Sequence, residues 1–92
     1  MLYEISYDLR KPGRDYSKLY DGIKGYGDWA HPLESVWIVS TSQTAAQVRD
    51  HLKSRMDAND GLLVTRLSGE AAWMGINDEV SKWLHDKLGR AA

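Results

Sequence analysis

Asp8 stands at the end of an alternating run, and three cations follow it within six residues: Arg10, Lys11 and Arg14. A carboxylate is a ligand for a hard divalent ion such as magnesium, which takes oxygen donors and usually keeps several waters. A bound divalent ion lowers the pKa of a water and polarises a phosphodiester, and neighbouring guanidinium and ammonium groups grip phosphate oxygens. The constellation therefore fits metal-assisted phosphodiester chemistry, with Ser6 and Ser35 as supporting hydroxyls. Two plainer readings stand beside it. Asp8 is equally suited to cap a turn or to pair with Arg10, and the three cations to form a solvated turn.

The remaining candidates are thinner. His31 and Glu34 flank Pro32-Leu33 and have the residue types of an acid/base pair. His51 and His85 fall on the polar sides of helical patterns, and three scattered histidines offer no metal-ligand spacing. The chain has no cysteine, which removes disulfides, zinc thiolates and thiol nucleophiles together. Four tryptophans and five tyrosines, with no phenylalanine, give every aromatic a polar tip. Such residues suit interfaces and half-buried sheet faces, and tryptophans also stack nucleobases. Trp83 belongs to the core side of the last helix, and Trp37 shares a strand face with Ser35 and Val39, where it is available to an interface. Gly25-Tyr26-Gly27 lacks the spacing of a phosphate-binding loop and reads as a helix stop.

The elements that must position these residues follow from periodicity. Leu2 to Leu9 alternates, with Tyr3, Ile5, Tyr7 and Leu9 on one face and Leu2, Glu4, Ser6 and Asp8 on the other, which predicts a strand. Pro12-Gly13 breaks the chain. Asp15 is a candidate N-cap for a helix carrying Tyr16, Leu19, Tyr20 and Ile23 and ending near Gly25 or Gly27. Trp29 to Leu33 and Ser35 to Ser40 read as strands, the first interrupted by Pro32; two strands and one bulged strand are both open. Thr44 to Gln47 has the capping-box pattern ahead of Ala45, Val48, Leu52 and Met56. Leu62 to Leu67 is the next strand, Ala71 to Ile76 a short extra strand, and Asn77 the cap of a last helix that Gly89 ends.

The order is β-α-β-β-α-β followed by a short strand and a helix. With 92 residues, this predicts one α+β domain over residues 1–92, a ferredoxin-like sandwich with an added C-terminal strand and helix. Both crossover helices cover one sheet face. The other face needs a cover, often a second subunit, so a homodimer is expected. If two such faces stack about a two-fold axis, Asp8 of each copy approaches the other, and two carboxylates so placed share a proton or a cation.

Ile5-Ser6-Tyr7-Asp8-Leu9 resembles the first-strand motif of the small dimeric CRISPR-associated proteins that partner the spacer integrase, and of the related virulence-associated protein D ribonucleases. Ser35-Val36-Trp37 after Glu34 is similar to that family's Ser-Val-aromatic motif, and the resemblance runs closest to a SinR-like branch of short bacterial proteins. It implies a ferredoxin-like homodimer, magnesium at Asp8 on the dimer interface, and metal-dependent cleavage of RNA or DNA in some members. In others it implies an adaptor that binds nucleic acid and a protein partner, an integrase or an antitoxin. The segment Ala71 to Ile76 would complete the partner's sheet.

The net charge of −1 argues against strong non-specific nucleic-acid binding. No apolar run is long enough for a membrane span, and Met1-Leu2-Tyr3-Glu4 lacks a basic region followed by an apolar stretch. A cytoplasmic protein is the resulting expectation. A small-molecule regulatory domain is a third possibility, resting on fold analogy alone.

Overall fold

The computed structural model describes residues 1–88. Four strands, β1 (Leu2–Asp8), β2 (Trp29–Leu33), β3 (Val36–Ser40) and β4 (Gly61–Arg66), form one antiparallel sheet in the order β2-β3-β1-β4. Helix α1 (Ser17–Lys24) joins β1 to β2, α2 (Ala45–Lys53) joins β3 to β4, and α3 (Asp78–Leu88) follows the sheet. The architecture is α+β, and the strand order is compatible with the ferredoxin-like arrangement. No helix among the described residues is long and apolar enough to cross a membrane.

Strand β1 is central, paired to β3 through Ile5↔Trp37 and to β4 through Ile5↔Val64 and Asp8↔Gly61. Its alternation divides the sheet into two faces. Tyr3 and Ile5 lie under α1 and α2 in a core with Leu19, Ile23, Trp37, Val39, Val48 and Leu52. The apolar residues of each helix recur on one stripe, so burying that stripe on the sheet supplies most of the helix's stability. Thr44 caps α2 as a full capping box, its hydroxyl accepting from the Gln47 amide while the Gln47 side chain accepts from the Thr44 amide.

The second face is split. Over β3, Ile38 is covered by Leu84 and Leu88 of α3, with Trp73, Ile76, Val80 and Trp83 packed around them. Toward β4 the same face is open, and Leu63 is 61% exposed. The chain therefore covers part of its own second face, for which the sequence predicts a cover, often a second subunit.

Several expectations are corrected in detail. The extra strand over Ala71 to Ile76 does not form. Gly69 and Gly75 hold positive φ angles of 108° and 72°, and Ala71 and Trp73 between them, with Ile76 just beyond, pack onto the α3 core without pairing to a sheet edge among the described residues. Trp37 is not at the open face. Its register opposite Ile5 puts it in the main core, 3% exposed. Helix α1 starts one residue later than Asp15 implies; Tyr16 is the cap residue, and Asp15 accepts from the Ser17 amide at 2.9 Å. β2 and β3 are two strands with a register shift between Ala30 and Leu33, where Pro32 has no amide to donate. Asn77 caps α3 by accepting from the Val80 amide at 2.9 Å. The expected stop at Gly89 lies outside the described residues.

Candidate functional site

Asp8 is the last residue of β1, on the face away from α1 and α2. It borders a shallow groove of about 280 Å³ lined by Ser6, Tyr7, Asp8, Gly61, Leu62 and Leu63. Its side chain is 71% exposed, and its Oδ2 accepts from Arg10 Nε at 3.0 Å. Ser6, two residues back on the same face, donates to Glu4 Oε2 at 3.0 Å. Ser35 lies beside this strand end, its carbonyl accepting from the Tyr7 amide at 3.2 Å. The structure thus gathers Asp8, Ser6, Ser35 and Arg10 around the end of β1.

The chain leaves β1 through a tight turn. Pro12 sits at the second position, Gly13 at the third with φ 78°, and the Arg14 amide donates to the Lys11 carbonyl at 3.3 Å. This turn lifts Lys11 and Arg14 away from Asp8 toward Asp57, at 3.6 and 3.5 Å. The three cations are therefore divided: Arg10 faces Asp8, and the other two face the α2–β4 loop.

In that loop, Asn59-Asp60-Gly61 reads from sequence as a turn and nothing more. Asp60 Oδ1 accepts from the Arg10 amide at 2.7 Å and from the Tyr16 hydroxyl at 2.9 Å, while Oδ2 accepts from the Asp57 amide at 2.9 Å. Burial pushes the Asp60 carboxyl upward, but these donors and the Arg14 charge outweigh it and hold it below the usual range. The Asn59 carbonyl accepts from Arg10 Nη1 at 3.1 Å. The acids of Asp57-Ala58-Asn59-Asp60 were the available signal, as counter-charges for the cations of the β1–α1 turn.

A magnesium ion needs only one or two carboxylates when waters complete its shell. Asp8 meets that description, with Oδ1 unpartnered among the described residues. No group of three His, Asp or Glu side chains suited to a metal gathers among those residues.

Elsewhere, His31 and Glu34 are joined through the backbone: His31 Nε2 lies 3.0 Å from the Glu34 carbonyl oxygen. The imidazole stacks on Trp37, ring centroids 3.7 Å apart. Trp37 Nε1 donates to the Tyr7 hydroxyl at 2.9 Å, which donates to the same Glu34 carbonyl at 3.2 Å. Burial raises the Tyr7 pKa against the lowering effect of the Trp37 donor. The cluster ties the β2–β3 turn to β1. His51 packs edge-on against Tyr26 and His85 lies against Trp73, both exposed. Trp83 donates to Asp28 Oδ1 at 3.0 Å.

No protein-family model matches the chain. Among solved structures, it is similar to the crystal structure of a hypothetical protein, TT1823, from Thermus thermophilus. The TM-score is 0.63 with 23% sequence identity, over 82% of this chain and 90% of that one. At that identity the likeness is one of fold.

Proposed function

We propose that the chain is a ferredoxin-like homodimer that cleaves RNA with magnesium held at Asp8, in the manner of the small CRISPR-associated and virulence-associated protein D ribonucleases. The observation that supports this most is the position of Asp8, exposed at the end of the central strand on the sheet face that α1 and α2 leave free. A second copy stacked on the open half of that face would bring two such carboxylates together. Magnesium bound there supplies an activated water and polarises the phosphodiester. Asp8 holds the ion, Arg10 meets a phosphate oxygen through its outward donors, and the Ser6 and Ser35 hydroxyls support the strand end.

Labelled single-stranded RNA incubated with the protein tests the reading. Cleavage is expected with magnesium, is abolished by EDTA, and falls at least about 100-fold in Asp8→Ala, the scale for removing one electrostatic group from a reacting centre. Cleavage that ignores both EDTA and the substitution overturns the mechanism.

A second reading is a non-catalytic dimeric adaptor for nucleic acid or for a protein such as an integrase or antitoxin. It is favoured by the ion pairs themselves, since Arg10 is taken by Asp8, and Lys11 and Arg14 by Asp57. Salt-dependent RNA or DNA binding with no turnover under any divalent ion is its signature.

A further inference from the structure

We propose that Arg10 is a counter-ion latch on Asp8, coupling the capture of a phosphate group to the capture of a divalent cation. This rests on the reading of Asp8 as the metal ligand and adds how that ligand is controlled.

Exposed ion pairs are ordinarily loose, because two long side chains must be ordered to make them. Arg10 differs in being fixed from several sides. Its backbone amide donates to Asp60 Oδ1 at 2.7 Å, its Nη1 donates to the Asn59 carbonyl at 3.1 Å, and its Nε donates to Asp8 Oδ2 at 3.0 Å. Beneath it lies Gly61, the residue opposite Asp8 in the sheet. A Cβ built on Gly61 would stand 3.0 Å from Arg10 Nη2 and 3.5 Å from the Asp8 Cβ. A side chain at that position would make the guanidinium give by a few tenths of an ångström where it crosses the strand end.

A guanidinium carries five N–H donors in a rigid fork. Nε and one Nη1 hydrogen are engaged, so the Nη2 pair and the other Nη1 hydrogen have no partner among the described residues. The side chain is 55% exposed. These free donors are suited to phosphate oxygens, with which a guanidinium makes charge-assisted hydrogen bonds. Arg10 is therefore a pre-formed anion receptor whose other edge occupies the metal-binding carboxylate.

The two ligands follow from one contact. Without a phosphate, the guanidinium neutralises part of the Asp8 charge and repels an arriving dication. When a phosphate draws the fork outward, Asp8 regains its full charge for the metal. Linkage makes the effect reciprocal, so the metal releases Arg10 to the phosphate by the same factor. Cation and nucleic acid then bind together better than either binds alone.

The test uses manganese, which shares magnesium's preference for oxygen ligands and is read by electron paramagnetic resonance of the free ion. The nucleic acid is a 2′-O-methyl RNA that resists cleavage, with its own ion uptake subtracted. Arg10→Ala is expected to bind manganese on the order of 10-fold more tightly than the unsubstituted protein, the scale for removing one like charge about 5 Å away in a wet, salt-screened site. Gly61→Ala keeps the charge but crowds the guanidinium, and is expected to tighten binding less. Added RNA tightens manganese binding to the unsubstituted protein and not to Arg10→Ala. If Asp8→Ala loses the metal while Arg10→Ala binds it no more tightly than the unsubstituted protein, the latch is wrong and the metal ligand stands. If Asp8→Ala binds manganese as well as the unsubstituted protein, the metal reading fails and the coupling with it. A metal-free arm reads the latch alone: the Arg10 Nε–H resonance is expected to broaden in Asp8→Ala and to shift with RNA. A resonance unchanged in both overturns the latch.

Discussion

Asp8 and Asp28 illustrate how one residue type takes two roles on the same sheet face. Asp8 is held by a single arginine and stays accessible. Asp28 is committed to structure, its carboxylate joining Lys87 and Trp83 of α3 to the start of β2. The Lys87 hydrogen bond depresses the Asp28 pKa, burial opposes it, and the Trp83 donor and Lys87 charge add to the depression. A carboxylate depressed in the folded state contributes stability that is complete above the unfolded value of about 3.9 and is lost as pH falls through the folded value. Acidification below about pH 4 should therefore loosen α3, and Asp28→Asn should loosen it at neutral pH. Amide exchange followed by NMR checks this: α3 is expected to lose protection while β1 keeps it, and equal protection of α3 in both proteins would refute the anchor. At this scale the sequence was partly legible. Asp8 and its cations stood out because carboxylate and arginine fall within two residues. Asp60, which fixes the loop under them, did not, because its partners Arg10 and Tyr16 are far away in sequence.

The elements were legible wherever a local signal sets them. The alternation of Leu2 to Asp8, the box at Thr44 and the cap at Asn77 are satisfied within a few residues, and each appears where its pattern places it. The sites of failure are those decided at long range. A period-two pattern in β3 says that Trp37 and Val39 share a face, but pairing with β1 decides which face it is. Ala71 to Ile76 has apolar content fit for a strand, yet positive φ angles at Gly69 before it and Gly75 within it accompany its turn onto α3. Thr44→Ala removes the hydroxyl that accepts from the Gln47 amide and should cost about 1 kcal/mol, lowering the melting temperature by roughly 4–8 °C in a domain of this size. Calorimetry measures it. An unchanged midpoint would mean that packing of Val48 and Leu52 alone holds the start of α2.

For the whole molecule, what matters is the half of the second face that α3 leaves uncovered. Ser6 and Asp8 of β1 lie there with Gly61 and the exposed Leu63 of β4, an edge strand with one neighbour among the described residues. The sequence shows that this face needs a cover, with a second subunit as the expected one; the docking of Leu84 and Leu88 of α3 onto Ile38 was not visible. The proposed dimer therefore has the β1–β4 half to work with, and it is the half that carries Asp8. Native mass spectrometry of the unsubstituted and Asp8→Ala proteins, each with added manganese, examines assembly and metal site together. The expected spectrum is a dimer holding one Asp8-dependent metal ion, with a metal-free dimer for Asp8→Ala. A monomer, or equal metal uptake by both proteins, would contradict a shared carboxylate site between two copies.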